Sequence, residues 1–230
     1  IVAHPNIEKS KINKRWIEEL KKHPDHYTVH ELYTVYPDEK IDVKAEQKLV
    51  EAHGTLILQF PVQWFNCPPL LKKWLDEVVL FGWAFDYDGG EFTNRTVALA
   101  VTAGIKEEDY SETGRYHITL EQLLAPFQTT FLYTQANYKS FFAFYGAEEE
   151  PSAETIDKSA QASYRADLRK ELIEKAMWRS RQTGQTHLCS SHWGMGIDAI
   201  TKIGGLLLSS VFFSPPAHGI QHGDQRDTAL

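Results

Sequence analysis

Three short stretches of this chain hold residue types that can do chemistry together. The first runs from His4, Pro5 and Asn6 to Ser10, Ile12 and Asn13, into the start of a predicted helix. A helix N-terminus presents unpaired backbone N–H groups and the positive end of the dipole, which favour a phosphate. His4, Ser10 and Asn13 can add side-chain donors, although Ser10 would also serve as an ordinary N-cap. The second stretch, Gln59 to Asn66, follows a fully apolar run and carries Pro61, Val62, Gln63, Trp64 and Phe65. Aromatic residues at a helix entry are most often core. Their functional reading is that they flank a planar ring system while nearby backbone N–H groups reach its polar edge. The third stretch has Thr102, Ala103, Gly104 and Ile105 at a strand end, then Tyr110, Tyr116 and His117 in a polar loop. Glycine there permits close backbone approach to a ligand. The tyrosines and the histidine are proton donors placed where loops commonly carry function. Neither a G-x-G-x-x-G fingerprint nor a Walker P-loop is present, so the usual dinucleotide and ATP loops are excluded.

The elements that would position these stretches alternate between strand and helix. Ile1–Ala3 reads as the end of a first strand, whose earlier residues are expected ahead of Ile1. A helix follows to about Lys22, with Ile12, Trp16, Ile17 and Leu20 as its apolar stripe. The pattern continues with a strand over Tyr27–Leu32, a helix over Lys44–Ala52, and a strand over Thr55–Phe60. The Thr55–Phe60 run is continuously apolar, as in a strand covered on both faces. Pro68 and Pro69 open a helix through Val78, Thr96–Val101 is a strand, Thr119 and Gln122 have capping-box spacing, and Tyr138–Tyr145 is a last strand. Ser152 caps a final helix with Ile156, Ala160, Tyr164 and Leu168 on one stripe. This order predicts an α/β fold, a three-layer sandwich with a five-stranded parallel sheet and helices on both faces. Ligands then sit beyond the carboxyl ends of the strands, where the three stretches converge and suit a flavin.

Composition narrows the function. The 230 residues carry a formal net charge of −7, and the basic runs are too short for a phosphate-binding stripe, so no nucleic-acid partner is expected. Cys67 and Cys189 are the only cysteines. That is no disulfide framework, and a cytoplasmic location is expected. No signal peptide is visible. Residues 171–230 read as a C-terminal extension of unknown role, appended to a domain over 1–170. The extension holds the cluster His187, Cys189 and His192, a weak candidate for metal ligation without an evident fourth ligand. It also holds an apolar patch over Ile203–Phe213, shorter than a membrane helix needs.

Taken together, Gln59-Phe60-Pro61-Val62-Gln63-Trp64-Phe65 and Pro68-Pro69-Leu70-Leu71-Lys72-Lys73-Trp74-Leu75-Asp76 closely resemble the signature of the NAD(P)H dehydrogenase (quinone) family. Ala3-His4-Pro5 with Ser10 and Asn13 resembles its phosphate loop. Val101-Thr102-Ala103-Gly104 with Tyr110 and Gly114 resembles its third flavin loop, and Phe141–Gly146 its bacterial branch. That branch includes general stress, drug-modulator and potassium-efflux ancillary reductases, and it is related to DT-diaphorase. The resemblance spans Ile1 to about Lys170. It implies a flavodoxin-like fold, a homodimer with shared sites, and ping-pong hydride transfer from NAD(P)H through a bound flavin to a quinone or similar acceptor. FMN is the expected cofactor and FAD the second choice. His4, Ser10, Ile12 and Asn13 would hold the phosphate end. Pro61, Val62, Gln63, Trp64 and Phe65 would flank the ring, and Thr102, Ala103, Gly104 and Ile105 would meet its polar edge. Tyr110 and His117 would be catalytic, with Tyr116 a competitor for the place of His117. The family's third loop often reads Thr-Thr-Gly-Gly, whereas here it reads Thr102-Ala103-Gly104-Ile105, with one hydroxyl fewer. The dimer contact is expected at Phe81-Gly82-Trp83-Ala84-Phe85. The rival reading is an ancillary flavoprotein docked on a potassium efflux transporter, peripheral at the inner face of the membrane. An electron carrier of the flavodoxin kind is the third, disfavoured by the Trp64-Phe65 loop.

Overall fold

A computed structural model describes residues 1–163. Tyr164 and Leu168, the His187/Cys189/His192 cluster, the Ile203–Phe213 patch and the whole 171–230 extension lie outside the described residues.

Three strands, β1 (Thr55–Pro61), β2 (Thr96–Thr102) and β3 (Asn137–Phe144), form a parallel sheet in the order β1-β2-β3. The register runs from Thr55 opposite Thr96 to Pro61 opposite Thr102, and Thr102 lies opposite Phe144. Among the described residues three of the five expected strands form full ladders, and isolated parallel bridges in which Val2 pairs with both Gln59 and Glu31 mark the other two. The segments around Val2 and Glu31 hold strand positions beside β1 without building full ladders.

Six helices are described: α1 (Lys11–Leu20), α2 (Leu32–Val35), α3 (Val43–Glu51), α4 (Pro69–Val78), α5 (Leu120–Tyr133) and α6 (153–163). Each long helix begins where its sequence supplies a start. Ser10 Oγ accepts from Asn13 N–H at 3.1 Å and Asp42 from Ala45 N–H at 3.0 Å. Pro69 stands in the first turn of α4, and Thr119 and Gln122 form the expected capping box. The short α2, within the end of the expected second strand, was not foreseen.

Side chains alternate across the sheet, and the alternation sorts the helices into two layers. Leu56, Leu58, Phe60, Val97, Leu99 and Val101 join a core with residues of α3, α4 and α5. Ile57, Ala100, Phe142 and Phe144 face the other way, onto Ile12 and Trp16 of α1 and Ile156 and Ala160 of α6. The larger core holds one buried carboxylate. Glu46 meets His30 Nε2, Tyr36 O–H and Trp74 Nε1–H, each at 2.7 Å. Burial opposes its charge, but these hydrogen bonds outweigh that cost and hold its carboxyl below the ordinary 4.5.

Candidate active site

Four loops meet at the carboxyl ends of the strands. In the first, His4 Nδ1 accepts from Asn6 N–H at 3.1 Å. The ring proton of a neutral His4 is therefore on Nε2. Burial pushes the His4 pKa below its ordinary 6.5, so at neutral pH Nε2–H is a neutral donor. The Ser10 hydroxyl oxygen caps α1, which leaves its proton free to point outward. Ile12 is buried in the core and offers a ligand only its backbone N–H. Lys11 and Ile12 N–H have no backbone partner among the described residues, as a first helical turn requires.

Asn13 has a different task from the one the resemblance implies. It is 2% exposed. Its Nδ2 donates to Thr102 Oγ1 at 2.9 Å, and Gln59 Nε2 reaches both its backbone oxygen at 3.1 Å and its Oδ1 at 3.2 Å. Asn13 thus fastens the start of α1 to the ends of β1 and β2.

The second loop is a tight reversal. Gln63 N–H donates to Asn66 O at 2.8 Å and Asn66 N–H to Gln63 O at 2.9 Å, while Trp64 and Phe65 have φ of +47° and +61°. Two successive left-handed residues match a type I′ turn, a place that ordinarily takes Asn or Gly. Bulky residues held there carry strain of the kind that collects at ligand sites. The turn lifts Trp64 out until it is 94% exposed. The sequence-level doubt whether these aromatics are core is settled against the core. Pro61 and Val62 continue the sheet, with Val62 N–H on Thr102 O at 2.8 Å.

The third loop divides its donors unevenly. Thr102 Oγ1 is engaged by Asn13. Ala103 is fully buried, its N–H donates to Phe144 O at 2.8 Å, and its oxygen accepts from Ala147 N–H at 2.9 Å. The Thr102 hydroxyl accepts from Asn13 and keeps its own proton, while Ala103 has no side-chain or N–H donor to give to a ligand. Gly104 and Ile105 do: their N–H groups have no backbone partner among the described residues. A Cβ on Gly104 would stand 2.8 Å from Glu148 Cδ, a contact that a shift of the flexible Glu148 side chain would relieve.

A fourth loop, 145–149, was missed at the level of sequence. Gly146 N–H donates to Ile105 O at 2.7 Å and Glu148 N–H to Gly104 O at 3.0 Å, so it buttresses the third loop. It also supplies Tyr145, whose ring centroid lies 5.8 Å from that of Tyr110. The position of Tyr145, directly past an apolar strand, was the one available signal. Tyr110 is nearly buried, and burial, followed by the neighbouring Tyr116, Tyr145, Glu148 and Asp109, raises its pKa above the ordinary 10.0. Tyr116 packs edge-on against Phe65 at 5.2 Å, with the Arg115 guanidinium 5.5 Å above its ring. Tyr116, not His117, therefore joins the second and third loops. His117 is exposed at φ +52°, and its Nδ1 donates to Glu112 O at 3.0 Å.

Outside the loops, the expected dimer segment is split. Phe81 is 58% exposed and joins Leu80, Tyr87, Leu132 and Tyr133 in an exposed apolar patch, with Phe85 against Tyr133 at 5.1 Å. Ala84, by contrast, is in the core, and Trp83 Nε1–H is tied to Glu51 at 2.7 Å. Cys67 is buried, and burial pushes its thiol pKa up, so it is no candidate for thiolate chemistry. Among the described residues no group of His, Cys, Asp and Glu could hold a metal ion, and no helix is long and apolar enough to cross a membrane.

Comparison with known proteins places this geometry. A family described as having a flavodoxin-like fold matches residues 1–168. General stress protein 14 of Bacillus subtilis is 43% identical over 161 residues, covering 70% of this chain and 91% of that protein. The B. subtilis protein named NAD(P)H oxidoreductase YrkL is 40% identical over the same coverage. The potassium-efflux ancillary protein KefG of Erwinia tasmaniensis is 32% identical over 162 residues, covering 70% and 87%. Among solved structures, general stress protein 14 of Treponema denticola in complex with FMN superposes with a TM-score of 0.69 at 45% identity, covering 74% of this chain and 95% of its own. The chain belongs to the flavodoxin-like family that includes general stress protein 14, NAD(P)H oxidoreductases and the potassium-efflux ancillary proteins.

Proposed function

We propose that this protein is an FMN-dependent NAD(P)H:quinone oxidoreductase working by a ping-pong mechanism. One observation carries the reading. At the end of a buried parallel sheet, the Gly104 and Ile105 N–H groups have no backbone partner among the described residues, and the next loop lifts two aromatics outward on a strained turn. A planar, polar-edged ring fits that pairing of free donors and exposed aromatic surface. The FMN bound to the Treponema relative and the oxidoreductase name of YrkL support it.

Bound FMN would supply the two-electron carrier between NAD(P)H and the acceptor. The chain's own residues bind, orient and shield. The His4 Nε2–H, the Ser10 hydroxyl and the first-turn N–H groups of α1 hold the phosphate. The Gly104 and Ile105 N–H groups meet the polar edge, and such donors, fixed in advance, act where negative charge develops. Trp64, Phe65 and the Tyr116 packed beside Phe65 exclude water from one side. Tyr110 keeps its proton throughout the neutral range and donates a hydrogen bond to the acceptor oxygen, with His117 as a second donor from the loop rim. The exposed Phe81 and Tyr133 patch is the proposed homodimer contact, and the proposed location is cytoplasmic.

The likeness to KefG supports a second reading, an ancillary subunit of a potassium efflux transporter. Two measurements separate the two. Purified protein should show oxidised-flavin absorption, release FMN identified by mass, and oxidise NAD(P)H when a quinone is added. Colourless protein that takes up no FMN on titration would end the enzyme reading. Recovery of the protein with membranes, without quinone turnover, would favour the ancillary role.

A further inference from the structure

The third loop carries a cation that the proposed mechanism leaves unused. The loop holds four carboxylates, Glu107, Glu108, Asp109 and Glu112, and the fourth loop beside it adds Glu148 and Glu149. Against them stand two permanent cations, Lys106 and Arg115. Lys106 Nζ lies 3.7 Å from Glu149. Arg115 is exposed and has no carboxylate partner among the described residues.

The backbone fixes where Arg115 stands. Gly114 N–H donates to Ser111 O at 3.1 Å and His117 N–H to Gly114 O at 3.3 Å, so residues 111–117 form two linked turns. A Cβ on Gly114 would fall against Glu108 O and stand 2.7 Å from Asp109 O. Those are backbone atoms that cannot swing aside, so glycine seats the second turn directly on the first half of the loop. Arg115 follows, and its guanidinium carbon lies 5.5 Å from the centroid of the Tyr116 ring, within cation–π range. Tyr116 in turn packs on Phe65 at 5.2 Å and lies 6.4 Å from Tyr110. One ring therefore separates the guanidinium from Tyr110 on one side and from Phe65 on the other.

We infer that Arg115 anchors the diphosphate of the nicotinamide nucleotide, an inference that rests on the proposed oxidoreductase reading. In that reading the FMN phosphate is held at the start of α1 and the quinone is neutral. The anion that must enter the mouth of the third loop is the nucleotide. Carboxylates around the mouth repel it, so an unneutralised guanidinium among them is the group that draws it in. Reach selects the phosphate. With the nicotinamide beside Tyr110, the diphosphate lies one ribose away, and the 2′-phosphate of NADPH lies beyond a second ribose. A guanidinium one ring from Tyr110 matches the nearer group. Its planar fork can donate two parallel hydrogen bonds to phosphate oxygens, as a lysine cannot. Arg115 then favours NADH and NADPH alike and does nothing for the neutral acceptor.

The test uses the FMN-loaded full chain as parent, Arg115→Gln and Arg115→Lys, with NADH, NADPH and a neutral benzoquinone. Arg115→Gln should raise KM for both nucleotides about 10- to 100-fold, while KM for the quinone and kcat stay within about twofold. Arg115→Lys should recover part of the loss, and added salt should narrow the gap between parent and Arg115→Gln. Calorimetry with ADP-ribose, which carries the diphosphate and cannot give a hydride, should show the same fold-loss of affinity in Arg115→Gln. Unchanged KM for both nucleotides, or a lower kcat at unchanged KM, in a chain whose parent turns over would overturn this inference and leave the oxidoreductase reading standing. A rise for NADPH alone would move the contact to the 2′-phosphate and overturn the diphosphate assignment. A parent that takes up FMN yet oxidises neither nucleotide would overturn the oxidoreductase reading and this inference with it.

Discussion

Replacing Asn13 by alanine separates two accounts of the site. If the Asn13 side chain holds the phosphate of a bound cofactor, Asn13→Ala should weaken binding and leave the cofactor-free protein as stable as before. The structure leads to the opposite expectation. The Asn13 carboxamide makes one hydrogen bond to Thr102 Oγ1 and accepts another from Gln59 Nε2, all inside the protein. Each such bond contributes about 1 kcal/mol net, and a buried polar group left without a partner costs about 1–3 kcal/mol more. Gln59 keeps its bond to the Asn13 backbone oxygen, so the orphaned group is mainly the Thr102 hydroxyl. The total is about 3–5 kcal/mol, or a fall of about 6–20 °C in Tm for a chain of this length. The measurement is thermal unfolding of the cofactor-free protein, alongside titration with FMN. FMN affinity should also fall, because Asn13 ties α1 to the strand end that carries Gly104, but the loss of stability comes first and needs no ligand. A cofactor-free Asn13→Ala protein within 1 °C of the parent, with weakened FMN binding alone, would refute the reasoning and return Asn13 to the phosphate.

Four further outcomes are expected. Trp64→Ala, at an exposed side chain, should leave Tm within about 1–2 °C yet weaken FMN or acceptor binding about fivefold, as loss of a ring contact worth about 1 kcal/mol would; a large fall in Tm would make Trp64 a core residue after all. Tyr110→Phe should retain flavin and slow turnover on the order of 10²-fold, and His117→Gln less; stopped-flow rates unchanged in both half-reactions would remove both from the mechanism. Glu46→Gln should lower Tm at pH 7, because an amide cannot accept from Trp74 and serve His30 and Tyr36 as the carboxylate does. A carboxyl held below 4.5 in the folded state stabilises above that pH and loses its contribution as pH falls through its folded value, so parent and variant should converge in acid below about pH 4; a gap that widens in acid would contradict this. Phe81→Lys combined with Tyr133→Lys should shift a dimer to monomer in light scattering without changing Tm much, and an unaltered mass would place the contact elsewhere.

What could be read from the sequence follows from how local the causes are. Helix starts were legible because Ser10, Asp42, Pro69 and the Thr119/Gln122 pair act within one turn. The three buried strands were legible because a strand covered on both faces must be apolar throughout, as Thr55–Phe60 is. The two outer strand positions are marked among the described residues by parallel bridges, Val2 to Gln59 and Glu31 to Val2, and the expected end of the second at Leu32 is where α2 begins. The site was legible as a set of loops and not as a set of donors. Which group in Thr102–Ile105 faces a ligand depends on partners far along the chain. Asn13 lies 89 residues from the Thr102 it binds, and Ala103 is consumed by Phe144 and Ala147. Those distant partners take the Thr102 hydroxyl oxygen as an acceptor and the Ala103 N–H, and leave the Thr102 hydroxyl proton and two N–H groups. Replacing the family's second threonine by Ala103 should therefore cost little here, because position 103 faces the core and its N–H belongs to the sheet. In the proposed site the polar edge of the cofactor would meet Gly104 and Ile105, whose backbone donors do not depend on side-chain identity. Behind Gly104 an added Cβ would meet only the flexible Glu148 side chain, which can move aside.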